Sequence, residues 1–256
     1  MEVKELLEGK TIGVFGASGL IGRALVRGAL NQGAAVVAVD QNPNNIVTEA
    51  ILPSLEKGMV SLVGLDATDE VAVEAFFHGQ RKLDGLINAI YPRGAGYGAH
   101  LFDVSSQQFL DNVGLQIGSS FIVTKACAEH FKRWSRPFSL VNLASVYGSV
   151  TPRFDIYEGT SMTMPVEYAV VKAGLLQLSR YVTRYVNDSD FRVNCVSPGG
   201  VLDGQHESFI EKYTKYTNGA GLVGAEDVVG LCLFLLSDLA GRVTGQDVKI
   251  DDGFSL

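Results

Sequence analysis

The feature that most constrains this chain is the stretch "TIGVFGASGLIGRALV", residues 11–26. A short apolar, β-branched run turns at Gly16, passes Ser18 and Gly19, and enters a helical pattern that still carries Gly22. Glycines spaced G-x-x-G-x-x-G let the backbone turn sharply and approach a bound group closely. The helix start that follows offers free N–H groups and a partial positive charge. A strand feeding a helix in this way is the first half of a βαβ unit, and the rest of the chain repeats the theme. Further strand-like runs lie at 34–40, 59–66, 83–89, 138–145, 191–198 and 247–251. Helical patterns fall at 20–32, 69–80, 105–132, 164–187 and 225–237, with a further amphipathic segment at 205–217. Right-handed crossovers between such strands give an α/β fold, a doubly wound parallel sheet of about seven strands flanked by helices. No linker or repeat interrupts the series, so residues 1–256 read as one domain.

Charge and cysteine usage narrow the classes of function. The net charge is −7, from 21 basic and 28 acidic residues, with no Lys/Arg cluster. Such a surface does not suit nucleic acid or an anionic membrane. Cys127, Cys195 and Cys232 are far apart and form no C-x-x-C pair. Neither a disulfide framework nor a metal site is expected. The first residues are partly acidic, and the best apolar stretch, "VVGLCLFLLS" at 228–237, is too short to span a bilayer, which predicts a cytoplasmic protein.

The glycine loop asks what it would hold. Gly16, Ser18, Gly19, Leu20, Ile21 and Gly22 are the candidate cradle for a pyrophosphate, the alternative being glycines that serve only strand-to-helix packing. Asp40 ends the second strand 18 positions after Gly22. A carboxylate there accepts both ribose hydroxyls of an adenosine and repels a 2′-phosphate, and Gln41 and Asn42 add no cation. NAD is therefore expected rather than NADP. Asp66, with Ala67, stands at the third strand's end, as an adenine contact or a helix N-cap. Asn88 and Ala89 end the fourth strand, near where the adenosine ribose would lie, and the Asn could equally be structural.

Three tyrosines follow Ser145: Tyr147, Tyr157 and Tyr168. A phenol with a pKa of about 10 is a poor base at neutral pH unless a cation favours its ionised form. Lys172 lies one helical turn after Tyr168 and on the same face. Four positions after Tyr147 and Tyr157 stand Thr151 and Ser161, which carry no charge. Tyr168 is thus the candidate acid/base, and Ser145, ending the fifth strand, the candidate holder of a substrate oxygen.

With "GASGLIG", Asp40, Ser145, "YAVVK" and "NCVSPGG" in place, the chain resembles the short-chain dehydrogenase/reductase family over nearly its whole length. The resemblance implies a Rossmann-type sheet, Ser145, Tyr168 and Lys172 as catalytic residues, and Lys172 on the nicotinamide ribose. It implies also a contact of Pro198, Gly199, Gly200 and Val201 with the nicotinamide end. Three features depart from the family pattern. Phe15 replaces the usual Thr, and the glycine spacing is closer to that of the extended sugar-nucleotide branch. Gln116 stands where many members carry Asn. Tyr168 follows Ser145 by 23 positions, a longer gap than usual. "NAIYPRGAGYG", "FDIYEGTSMTMPVEYAVVKAGL", "VNCVSPGGVLDGQHESFIEKY" and "DDGFSL" together resemble bacterial oxidoreductases of flagellin modification and legionaminic-type sugar biosynthesis.

The expected activity is interconversion of a secondary alcohol and a ketone on a phosphorylated or nucleotide-linked sugar, with NAD. Residues 149–165 read as an inserted loop and 202–220 as a lid-like segment near the substrate. Arg93, Arg153, Tyr157 and His206 are the substrate-side candidates, against surface arginines and an exposed helix-start histidine. The alternatives are a sugar epimerase or dehydratase that recycles bound NAD, and a non-catalytic NAD-binding regulator. Apolar stripes on the two long helices predict a homodimer or homotetramer.

Overall fold

A computed structural model describes residues 5–256. Its centre is a sheet of seven parallel strands: β1 (Thr11–Phe15), β2 (Ala35–Asp40), β3 (Val60–Gly64), β4 (Gly85–Asn88), β5 (Phe138–Leu143), β6 (Phe191–Pro198) and β7 (Asp247–Ile250). Their order is β3-β2-β1-β4-β5-β6-β7. The order of winding reverses between β1 and β4, which are paired in parallel, Ile12 to Gly85 through Phe15 to Asn88. In such sheets ligands bind beyond the carboxyl ends of the strands at this switch point.

Alternate residues of each strand serve opposite layers, as the period of two requires. Ile12, Val14, Val36, Ala38, Ile87, Val141 and Val196 pack under α1 (Leu20–Asn31) and α7 (Ala225–Leu236). Phe15, Val37, Val39, Leu86, Leu140 and Val193 pack under α3 (Glu70–Gly79) and α4 (Ser106–Trp134). Both faces are covered, so the strands read as almost continuous apolar runs rather than alternating ones.

Boundaries moved where side chains rather than periodicity decide them. Ser105 and Gln108 form a capping box that starts α4, which runs to Trp134 and ends on Ser135 in the left-handed region. Pro165 precedes α5 (Val166–Val186), so the expected start at 164 is two residues early. The 205–217 segment contracts to α6 (Glu207–Thr214), capped by the His206 side chain. A short α2 (Leu52–Glu56), which contains Pro53 and no regular apolar stripe, was not expected. Of the two readings of Asp66, the N-cap fails: Asp69 caps α3, its carboxylate accepting the Ala72 N–H at 3.1 Å.

Candidate active site

Every strand is parallel, so the residues that end or follow the strands share one edge of the sheet: Gly16, Asp40, Asp66, Ala89, Ser145 and Gly199. Gly16 turns with φ +77° against the next strand's end, and a Cβ there would sit 2.5 Å from the Ala89 carbonyl. A Cβ on Gly22 would collide with the Gly16 carbonyl and the Ala17 backbone, so this glycine lets α1 lie directly against the loop. The N-terminus of α1, at Gly19, has no side-chain cap. Its first N–H groups are therefore left for an incoming anion.

The far end of this loop is tied to β2. Asp40 accepts the Ser18 N–H at 3.0 Å and the Asn42 N–H at 3.1 Å, and the Ser18 hydroxyl donates to the Asn42 carbonyl at 2.9 Å. Ser18 thus contributes its hydroxyl to the loop's shape. Asp66 is exposed and accepts both the N–H and hydroxyl of Thr68, and these bonds hold its carboxyl below the usual range. Asn88 is buried, and its amide donates to Asn142 at 2.9 Å, which donates in turn to Ser179 at 2.9 Å. The Cys195 thiol donates to the same Ser179 oxygen at 3.1 Å. Of the two readings of Asn88, this geometry favours the structural one: it pins β4 and β5 to α5.

Ser145 follows β5; its Oγ accepts the Tyr147 N–H at 3.3 Å and stands close enough to the Tyr168 phenol, on the first turn of α5, to favour its ionised form. Lys172 is buried one turn on. Its ammonium donates to the Leu143 carbonyl at 2.8 Å and lies 5.5 Å from the Tyr168 ring centroid. Burial lowers Lys172 to about 8. Burial also pushes the Tyr168 phenol up, opposed by the neighbouring Ser145 hydroxyl. The lysine on the same helical face therefore meets the tyrosine through its ring, and the expected favouring of the phenolate is outweighed here by desolvation. Tyr147 and Tyr157 are buried in an aromatic cluster with Phe209, Tyr213 and Phe254, against which Tyr168 packs. The Tyr157 hydroxyl reaches Tyr147 at 3.5 Å, and burial pushes Tyr157 up to about 12.

The substrate-side candidates separate. Arg93 lies over the Tyr91 ring at 5.6 Å, and Tyr91 packs edge-on against Tyr168 at 5.7 Å, so Arg93 is at the mouth of this cluster. Arg153 lies over Tyr216 at 4.4 Å and Phe254 at 5.6 Å. It joins the 149–165 loop to the segment behind α6 rather than standing free. Lys212 adds to that join through the Asp155 and Glu158 carbonyls, at 3.3 and 2.6 Å. The Tyr157 ring packs tilted against Phe209 of α6, centroids 5.2 Å apart. His206 is exposed and accepts the Ser208 N–H at 3.2 Å, the helix-start role.

Pro198 ends β6, and the Gly199 N–H donates to Ile250 at 2.8 Å. The Gly200 N–H donates to the Tyr213 hydroxyl at 2.6 Å, and Val201 bridges to Val223. Tyr213 escaped the sequence reading, although it recurs on the apolar side of the 205–217 pattern. Asn112 also escaped: it is buried, accepts the Gly94 N–H at 2.9 Å and donates to Ala95 at 3.3 Å, holding the 91–104 loop to α4. Gln116, one turn on, is buried with neither end of its amide hydrogen-bonded.

Residues 13–255 match the family model described as enoyl-(acyl carrier protein) reductase. The chain is 35% identical to the post-translational flagellin modification protein A of Campylobacter coli, over 98% of this chain and 100% of that protein. It is 27% identical to the L-rhamnose 1-dehydrogenase (NAD(P)(+)) of Azotobacter vinelandii, over 97% of each. A crystal structure of a short-chain dehydrogenase from Leptospira borgpetersenii with bound NAD+ superposes with a TM-score of 0.87 at 26% identity, covering 100% of this chain and 96% of that one. Among the described residues no helix is long and apolar enough to cross a membrane, and no group of three metal-ligating side chains converges.

Proposed function

The chain belongs to the short-chain dehydrogenase/reductase family, and from that premise we propose that it is an NAD-dependent oxidoreductase interconverting a secondary alcohol and a ketone on a phosphorylated or nucleotide-linked sugar. The observation that carries the reading is the grouping of Ser145, Tyr168 and buried Lys172 on the same sheet edge as the uncapped glycine loop. The loop fits a dinucleotide: Gly16 and Gly22 leave space only a missing Cβ provides, and α1 presents free N–H groups. When bound, the nicotinamide supplies the hydride acceptor or donor.

The chain's own residues would handle the proton. Ser145 holds the substrate oxygen beside the Tyr168 hydroxyl, and Tyr168 takes or returns the proton at that oxygen. Lys172, anchored by the Leu143 carbonyl, supplies positive charge beneath the phenol ring and would contact the nicotinamide ribose. Asp40 at the end of β2 supports NAD over NADP, because a second negative group there would be repelled. Likeness to a flagellin modification protein and to a rhamnose dehydrogenase supports a sugar substrate and a role in surface-glycan synthesis.

The test is NADH formation from phosphorylated and nucleotide-linked sugars. Wild type is expected to turn over NAD faster than NADP, and Tyr168→Phe to lose at least about a hundredfold in rate with its NAD Kd unchanged. Turnover retained by Tyr168→Phe would remove Tyr168 from the chemistry. The G-x-x-G-x-x-G spacing favours one alternative, internal recycling by an epimerase or dehydratase, which would convert sugar with no NADH released. Tyr181 and Tyr185 stack on α5 while 62% and 70% exposed, and Phe121 of α4 is also exposed; these rings support a homodimer or homotetramer. Sedimentation showing only monomer at micromolar concentration would oppose it.

A further inference from the structure

Glu167 immediately precedes Tyr168, yet its side chain is only 1% exposed and its Oε2 has no hydrogen-bond partner. An acidic residue in a helix's first turn is favoured by the backbone dipole, which accounts for its sign. It does not account for burial, because a carboxylate taken out of water without a partner costs several kcal/mol. No cation pairs with it among the described residues. A buried acceptor left open in this way marks the place of a missing donor.

What surrounds Glu167 says where that donor would be. Its charge acts on both Tyr91 and Tyr97, adding to the burial that pushes these two phenols up. The hydroxyls of Tyr91 and Tyr97 are hydrogen-bonded to each other, and their rings meet edge-on at 5.8 Å. The Tyr91 ring in turn packs on Tyr168 at 5.7 Å. An aromatic wall therefore runs from the proposed proton donor through Tyr91 to Tyr97, within range of the Glu167 charge, and Asn112 holds its loop to α4.

We propose that Glu167 is a specificity-determining residue, its buried carboxylate accepting a hydrogen bond from a hydroxyl or amino group that the substrate carries near the carbinol facing Tyr168. This rests on the oxidoreductase reading above and narrows its substrate. A carboxylate only accepts, so it selects a donor. The rings of Tyr91 and Tyr97 suit the C–H face of a sugar ring. Glu167 repels phosphate, so the anionic end of a phosphorylated substrate lies away from it, with Arg93 at the outer side of Tyr91 available to that end. A substrate lacking the donor leaves the buried charge unpaired, the situation in which enzymes discriminate most strongly.

The experiment compares glucose 6-phosphate, glucosamine 6-phosphate and UDP-glucose with their singly deoxygenated analogues, using wild type and Glu167→Gln, with NAD binding and melting measured alongside. The expected result is that one deoxygenated analogue loses about tenfold to a hundredfold in kcat/KM with wild type. Glu167→Gln is expected to level that difference to within about threefold, since a neutral acceptor holds the donor less tightly, with NAD Kd unchanged. Equal turnover of parents and analogues by wild type, or an unchanged ranking in Glu167→Gln, overturns the assignment and leaves the oxidoreductase reading standing. Failure of NAD-loaded wild type to turn over any parent sugar overturns both. Should Glu167→Gln not fold, Glu167→Asp keeps the charge and shortens its reach. The same levelling is then expected, and retained discrimination overturns the proposal.

Discussion

Replacing Lys172 by Met tests whether a buried ammonium beneath the Tyr168 ring is held against its own solvation. Burial lowers Lys172 from the ordinary 10.5 to about 8. The unfolded chain therefore binds this proton more tightly than the folded one, and stability attributable to Lys172 rises with pH between those values. It is fully present above the unfolded value and lost as pH falls through the folded one. From about pH 7 to about pH 9.5 the gain works out to about 2 kcal/mol, from the two titration curves at 1.36 kcal/mol per pH unit. The assay is urea unfolding of wild type and Lys172→Met at matched protein concentration across that range. The tyrosines raised by burial act in both variants, so the difference between the two curves isolates the lysine. Wild type is expected to gain about 2 kcal/mol relative to Lys172→Met over the interval. A difference that stays flat with pH would refute the reasoning, because it would mean that the ammonium is solvated or paired at every pH.

Two further substitutions probe the ends of the site. Gly22→Ala puts a methyl into the Gly16 carbonyl and the Ala17 backbone, neither of which can rotate away. It is expected to cost about 1–3 kcal/mol of stability, read by urea unfolding, and to weaken NAD binding by at least about tenfold, read by fluorescence titration. Wild-type NAD affinity in this variant would place the dinucleotide elsewhere. Arg153→Ala removes the cation from Tyr216 and Phe254, contacts worth about 0.5–1 kcal/mol at a partly exposed position. KM for sugar is expected to rise a few fold while the NAD Kd holds, and an unchanged KM would show that the inserted loop does not shape the substrate end.

The sheet was legible because the apolar runs at 34–40 and 191–198 are short and rich in strand formers, and the 20–32 stripe has the period of a helix. The glycine loop was legible for a different reason, since Gly16 and Gly22 are required by backbone geometry rather than by packing preference. Where the reading fell short, a side chain had two chemically equal options. Asp66 and Asp69 are both able to cap α3, and only the turn made with Thr68 decides between them. Asn88 sits at the right strand end for a ribose contact, but Asn142 and Ser179 engage its amide, and that triad spans 91 positions of sequence. Glu167 gave no signal, because an acidic residue at a helix start is ordinarily solvated, and its burial comes from tertiary packing that no local pattern encodes. Lys172 was placed correctly on the face of Tyr168, yet its desolvation, which reverses the simple charge argument, depends on how deeply α5 sinks against β5.

Phe254 works as a keystone. It is 1% exposed, stacked on Tyr213 at 4.2 Å, edge-on to Tyr147 and Tyr216, and under the Arg153 guanidinium. One ring therefore touches the turn after β5, the 149–165 loop, α6 and the residue run behind it. Close-packed interiors transmit strain, so trimming this one side chain is felt by all of these segments together rather than by the residues beside it in the chain.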